Sequence, residues 1–427
     1  MLEKGILFDE ALIKELKEKF YLVEGDPEYG ERLFYDNSGG SLRLRAAVEA
    51  KAALEQYPDC PDRSHPKALD LKEIVERGTR EILSLIFSVE KGSLITELTA
   101  SQTMFHMVGL IMENVEGSNA VVSALEHPSA FDAVAFYCQK TGKELRVVPA
   151  NPKTGEIEPE AVAALVDENT CLLSVMSASN VCGTVNDMKA IVEAARGVKP
   201  DLYIISDAVQ HAPHCPLNVG ELGLDGVNFA PYKFFGVRGC GFAYVSERVA
   251  RFPHHRLLGK EQSVFALGTA TPGNFAAMMA VIDYVCDIGR RFLSSDDRKT
   301  LFREGMERIH LAERGLLDRL LEGTDETPGL RHIPGVTVHV DALPLSRRDL
   351  IAAIAVGDLT PEECAAAYLR RGVVVCDRSK HSMYSNRIVT ALGLNGCVRV
   401  SPMHCHGAAD IDRFLRVTAE IAKEATR

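Results

Sequence analysis

An aspartate and a lysine at the ends of two consecutive apolar runs are the residues of this chain most directly suited to chemistry. In Y-I-I-S-D-A-V-Q-H-A-P-H-C-P, the run from Leu202 to Ile205 reads as a buried strand. It delivers Asp207 and Gln210 to its C-terminal end, where open α/β sheets keep their ligand crevice. A second apolar segment, Gly226 to Ala230, delivers Lys233 of A-P-Y-K-F-F-G to the same edge. The pair suits pyridoxal phosphate: a lysine amine condenses with the aldehyde, and a buried carboxylate keeps the pyridine nitrogen protonated so that the ring accepts electrons. Taken singly, the two residues are more simply a turn-starting aspartate and a surface lysine among aromatics.

The elements that would bring such groups together are legible around them. From about Ser93 to Val245 the chain alternates strand-like and helix-like segments, the signature of a largely parallel sheet covered on both faces. The expected strands are Ser93 to Leu98, Asn119 to Leu125, Glu144 to Pro149, Cys171 to Met176, Leu202 to Ile205, Gly226 to Ala230 and Gly241 to Val245. Their ends offer further polar groups. Thr99-Ala100-Ser101-Gln102-Thr103 opens a helix, and free N–H groups and hydroxyls at a helix start bind phosphate, although an ordinary N-cap has the same look. His127, in E-H-P-S, can lie flat on a pyridine ring and move protons near neutral pH. Asn180 and Gln210 can each donate to a phenolic oxygen, or simply occupy turns. Five strand ends with compatible groups on one edge outweigh the separate, blander explanations.

The remainder of the chain frames this sheet. Residues 1–33 read as an arm with helical periodicity at Leu12, Ile13 and Leu16, ending in the acidic turn E-G-D-P-E-Y-G. The segment R-L-F-Y-D-N-S-G-G-S follows, its paired glycines allowing close backbone approach beside Asn37. Helices are expected over Leu42 to Tyr57, Lys67 to Phe87 and Asn274 to Arg291, with a proline-rich loop from Pro58 to Pro66. Beyond a linker near Arg248, a smaller α+β domain is expected over 295–427, with strands Thr337 to Val340 and Val373 to Cys376 and a final helix from Ala408 to Ala425. Residues 34–294 then form the large domain, its N-terminal segment also contributing to the small one.

A net charge of −11 offers no basic field for nucleic acid or an acidic membrane surface. No basic-then-apolar leader opens the chain, and no run approaches the roughly 18 apolar residues of a membrane span, so a cytoplasmic protein is expected. Eleven cysteines without C-x-x-C spacing read as buried thiols of a reducing compartment. The clusters His211-x-x-His214-Cys215 and His404-Cys405-His406 lack the spacing of a metal framework, and no metal is expected.

Taken together, these residues resemble the class V aminotransferase branch of fold-type I pyridoxal-phosphate enzymes, and within it the cysteine desulfurase and selenocysteine lyase group, from about Leu33 to the C-terminal helix. The resemblance implies an α/β fold: a large domain with a mostly parallel seven-stranded sheet and a smaller α+β C-terminal domain. It implies a homodimer, with Gln102 and Thr103 holding the cofactor phosphate and Thr269 of G-T-A-T-P reaching in from the other subunit. His127 matches the ring-stacking histidine, Asn180 and Gln210 the contacts to the ring oxygen, Asp207 the partner of the pyridine nitrogen, and Lys233 the lysine that binds the aldehyde. Asn37 and Arg399, the latter in C-V-R-V-S, match substrate contacts, Arg399 as the bidentate clamp on an α-carboxylate.

Two departures stand out. Tyr232 occupies the position before the lysine where the family often has histidine, so it must supply any phosphate contact made there. The stretch Ser379 to Ser385, where desulfurases that pass sulfur to a protein carry a cysteine, has none; Cys376 and Cys397 lie nearby as buried thiols. The expected activity is cleavage of the bond from Cβ to sulfur, selenium or a related leaving group in a small amino acid, without the usual persulfide relay. The alternative is transfer of the amino group to a keto acid. A scaffold without turnover is disfavoured because both Asp207 and Lys233 are present.

Overall fold

The structure, a computed structural model, describes residues 2–425. Its centre is a seven-stranded sheet made of β1 (Ser93–Glu97), β2 (Asn119–Ser123), β3 (Glu144–Val148), β4 (Thr170–Ser174), β5 (Tyr203–Asp207), β6 (Gly226–Phe229) and β7 (Gly241–Val245). The spatial order is β1-β7-β6-β5-β4-β2-β3, and only β7 runs antiparallel to its neighbours. Every residue of β2, β4, β6 and β7 is buried. Both faces are covered, which is why these strands are unbroken apolar runs and not alternating ones. All seven expected strands are present within a few residues of their predicted ends.

One consequence of the topology matters most. The C-terminal ends of β1, β2, β4, β5 and β6 lie along one edge, and β7 starts there, because Gly241 pairs with Glu97. At that crowded edge a side chain on Gly241 would lie 2.3 Å from the Ala100 nitrogen and 2.4 Å from the Thr99 carbonyl carbon. Glycine here lets β7 pass directly beneath the turn that opens the Ala100–Asn114 helix.

A second, antiparallel sheet has the order β8-β9-β11-β10, with β8 Val336–His339, β9 Ala352–Val356, β10 Cys376–Ser379 and β11 Gly396–Val400. It shares a separate apolar core with Leu317, Leu320, Tyr368 and Phe414 of the flanking helices. The expected single strand Val373 to Cys376 is divided. Val373–Val374 pairs with Leu33–Phe34, and after Val375 the chain changes sheets to become β10. The expected helix Lys67 to Phe87 is α-helical over Pro66–Glu81 and widens to a π turn over Ile82–Ile86. The wider turn brings Ile82, Leu85 and Ile86 into the core together. Among the described residues no helix is long and apolar enough to cross a membrane.

Gly241→Ala is expected to cost about 1–3 kcal/mol in a urea titration, as overpacking does. It should also displace the Thr99–Ser101 turn and so weaken phosphate binding to the folded variant, measured by calorimetry.

Candidate active site

The strand ends converge on a cavity of about 240 Å³. Five elements wall it: Thr99 to Ser101 after β1, His127 and Ser129 after β2, Met176 to Asn180 after β4, Asp207 to Gln210 at the end of β5, and Tyr232 with Lys233 after β6. Arg238 closes the rim.

Lys233 ends the short 3₁₀ turn Pro231–Lys233. Burial, and then the neighbouring Arg399, push its amine down to about 8, while Asp207 works in the opposite direction. Asp207 is 7% exposed. Burial raises its carboxyl; the Val209 N–H, donating to Oδ1 at 3.0 Å, and the charge of Lys233 hold it down. Glu126 stands close by, and the sequence did not mark it for a role. It is fully buried; Oε1 accepts both the Ser123 hydroxyl and the Met176 N–H at 2.6 Å, and Oε2 has no partner. Burial, reinforced by Asp207, pushes Glu126 up to about 8. Burial raises both carboxyls, Glu126 up to about 8, while the Val209 N–H and the charge of Lys233 oppose the rise at Asp207.

His127 caps the Pro128–Thr141 helix. Its Nδ1 accepts the Ser129 N–H at 3.2 Å and lies 2.7 Å from the Ser129 hydroxyl. Those bonds put the proton of the neutral ring on Nε2. Burial, then the charge of Lys233, pushes the imidazole down to about 3, so it is neutral at physiological pH. Tyr384, from the loop after β10, stacks on it with ring centroids 6.1 Å apart.

Two buried amides have carbonyl oxygens without a partner, Asn180 Oδ1 and Gln210 Oε1. Gln210 Nε2 lies 3.3 Å from the Ser38 hydroxyl, a group that can also donate. A half-turn of either amide is isosteric and exchanges the unpartnered oxygen for an N–H donor beside the cavity. The Ala100–Asn114 helix opens onto the cavity with its first N–H groups free of intrahelical partners. Beside it, Tyr232 lies under two guanidiniums, Arg238 at 4.4 Å and Arg43 at 5.9 Å from the ring centre. Arg238 has no carboxylate partner among the described residues. An anion-binding rim, two orphaned amides, a buried carboxylate and a desolvated amine fit pyridoxal phosphate group by group.

Several expected residues do not line the cavity itself and are engaged by other protein groups. Gln102 is held by the Thr99 cap, its N–H donating to Thr99 Oγ1 at 3.1 Å, and the cavity wall is formed by Ser101 instead. Thr103 is buried, and its hydroxyl donates back to the Ala100 carbonyl at 2.7 Å. Asn37 is consumed by the backbone: Nδ2 donates to Phe34 and Ser401, and Oδ1 accepts from Leu42. Thr269 donates to Asp62 at 2.8 Å in an exposed loop. Arg399 is 2% exposed, ion-paired with Asp36 at 2.6 Å and donating to the Asn180 carbonyl at 3.0 Å. Arg378 was not singled out by its sequence context. It lies two residues from Cys376, which pairs with Arg399, so both guanidiniums stand on one face of the small sheet. Arg378 donates to the Tyr384 carbonyl, and its charge reaches Lys233 and His127.

The aminotransferase class-V family model matches residues 33–414. Cysteine desulfurases of Salmonella typhimurium and Salmonella typhi are 29% identical over 216 residues, covering 46% of this chain and 52% of theirs. The chain thus spans about half the length of the curated relatives it matches. The apo cysteine desulfurase of Thermococcus onnurineus NA1 superposes with a TM-score of 0.79 at 21% identity, covering 96% of this chain and 98% of that one. The cysteine desulfurase CsdA of Escherichia coli superposes with a TM-score of 0.77 at 15% identity, covering 98% and 100%. At these identities the superpositions establish the fold.

Lys233 is expected to lose its proton near pH 8. In the protein stripped of bound aldehyde, its modification by trinitrobenzenesulfonate, located by mass spectrometry, should rise with a midpoint near 8. Asp207→Asn should move that midpoint lower, because it removes the charge that favours the ammonium form. A midpoint at the ordinary 10.5 would contradict the desolvated environment.

Proposed function

Because the chain belongs to the aminotransferase class-V family of pyridoxal-phosphate enzymes, we propose that it is a lyase that releases the β-substituent of a small amino acid, sulfur or selenium first among them. The observation that carries this reading is one cavity lined by a desolvated Lys233 and the buried carboxyl of Asp207, with a neutral His127 alongside.

Bound there, pyridoxal phosphate supplies an electron sink for a negative charge developing at the substrate Cα. The chain's own residues do the rest. Ser101, the N–H groups at the head of the Ala100–Asn114 helix and Arg238 hold the phosphate. Asp207 keeps a proton on the pyridine nitrogen, and Asn180 with Gln210 orients the phenolic oxygen. Arg399 grips the substrate carboxylate with the guanidinium edge left by Asp36. Lys233 Nζ, neutral from about pH 8 upward, takes the Cα proton and then holds it as an ammonium next to the departing atom. His127 donates a hydrogen bond from Nε2 to that atom. We place the enzyme in the cytoplasm as a homodimer in which Thr269 completes the neighbouring phosphate site.

No cysteine stands in the Ser379–Ser385 loop, where Tyr384 stacks on His127 instead. That observation favours chemistry in which the product leaves free, and it keeps amino transfer to a keto acid as the second reading. The two differ kinetically: elimination runs with one substrate, whereas transfer needs a keto acid and shows ping-pong kinetics.

Incubation with cysteine or selenocysteine should release sulfide or selenide together with pyruvate and ammonia, and cystine should give pyruvate, ammonia and the persulfide of cysteine. Lys233→Ala should lower the rate by roughly 10³-fold, and Cys376→Ser and Cys397→Ser should leave it unchanged. Inactivity of the intact protein with every β-substituted amino acid would reject the lyase reading, and turnover that requires a keto acid would establish the second.

A further inference from the structure

The two histidine clusters that stand apart from the cofactor chemistry in the sequence meet in the fold. They do not form a metal centre: among the described residues no group of three or more His, Cys, Asp or Glu is placed to hold a metal ion. Both converge on Glu313, a carboxylate 3% exposed on the Arg298–Glu322 helix. His214 Nδ1 lies 2.6 Å from Glu313 Oε2, and the backbone N–H of His404 donates to Oε1 at 3.1 Å. The His404 ring is steadied from its other side by the Tyr284 hydroxyl at 2.7 Å. Nearer to Asp207 on the same turn, His211 Nδ1 lies 3.0 Å from Asp349, which precedes β9 of the small sheet.

His214 follows Asp207 by one short turn, and His404 follows Arg399 by another. Asp207 ends β5 of the large sheet, whereas Arg399 lies on β11 of the small one, and no strand pairing joins the two sheets. Backbone hydrogen bonds join the two units where the Asp349 N–H donates to the Gly183 carbonyl at 2.8 Å and the Val185 N–H to the Arg347 carbonyl at 2.9 Å, and Arg399 itself donates to the Asn180 carbonyl. Side chains bridge the segments that follow Asp207 and Arg399. We propose that Glu313 is a positioning residue that fixes Asp207 relative to Arg399 by clamping the segment after each. This rests on the function proposed above, in which those two groups hold the cofactor ring and the substrate carboxylate.

The electrostatics support a rigid clamp. Burial alone would raise Glu313, but His214 and His404 outweigh it and bring the carboxyl down to about 2. Burial likewise opposes charge on His214; Glu313, helped by Asp349 and resisted by His211, raises it above its usual value. Each partner thus favours the charged form of the other, and removing one leaves the other buried without compensation.

The test is hydrogen exchange by mass spectrometry, run on the protein with and without pyridoxal phosphate. His214→Leu should speed exchange in 208–215 and also, by roughly tenfold, in 402–407, which His214 reaches only through Glu313. Glu313→Gln, which keeps shape and one acceptor, should speed both segments together and raise KM for the amino acid more than it lowers kcat. Faster exchange confined to 208–215 in His214→Leu overturns the proposal. If that variant does not fold, faster exchange in only one segment of Glu313→Gln overturns it instead. Because exchange is also read without cofactor, a protein that shows the coupling but never binds pyridoxal phosphate refutes the proposed function and leaves the clamp standing.

Discussion

Desolvation of one amine, Lys233, among two guanidinium groups and the two carboxylates Asp207 and Asp36 dictates what the surrounding chain has to do. Arg399 and Arg378 favour the neutral amine, Asp207 favours the charged one, and burial tips the balance toward neutrality. A neutral amine at pH 8 is both a nucleophile toward an aldehyde and a base toward a Cα proton, which an ordinary surface lysine is not. The same balance explains why Glu126 has to be neutral. A second carboxylate beside Asp207 would favour the ammonium form of Lys233, and burying Glu126 with one oxygen unpartnered keeps it protonated.

The field at the cavity opposes that of the whole molecule. The chain carries −11 overall, yet Arg43, Arg238, Arg378 and Arg399 gather around the site against Asp36 and Asp207. A cationic cleft in an acidic protein concentrates small anions and zwitterions while repelling polyanions. Crowding costs something: burial, with Arg238 beside it, pushes Arg43 down to about 10. Asp36 answers part of that positive charge through Arg399, and a bound phosphate or carboxylate would answer more of it.

The large sheet was legible because most of its strands, Asn119–Ser123, Thr170–Ser174, Gly226–Phe229 and Gly241–Val245 above all, are buried on both faces, which leaves mainly apolar runs that need no partner to be recognised. Asp207, Lys233, His127, Asn180 and Gln210 followed from it, since a strand end fixes an edge, and the structure brings all five to one cavity wall. Legibility failed where position depends on side-chain detail within a turn or on a change of sheet. Gln102 and Ser101 are adjacent, and only the Thr99 cap decides which of them faces the cavity. Arg378 was hidden because β10 starts after a switch between sheets that no periodicity announces. Glu126 was visible beside His127 but had no signal of its own, because its neutrality comes from three segments distant in sequence.

The thiols decide how sulfur would leave such a site. Burial pushes Cys397 up to about 12, and burial also raises Cys376 despite the nearby charge of Arg399. At neutral pH a thiol with that pKa is thiolate only about 10⁻⁵ of the time, and thiolate is the attacking species. The Cys397 thiol is thus a poor acceptor for sulfur, and burial moves Cys376 in the same direction. The loop that would carry a dedicated acceptor instead exposes Met383 and sets Tyr384 over His127. Tyr384, itself 53% exposed, lies over the neutral imidazole with a ring that offers no thiol. Under the proposed lyase reading the substituent therefore leaves the site as a small molecule.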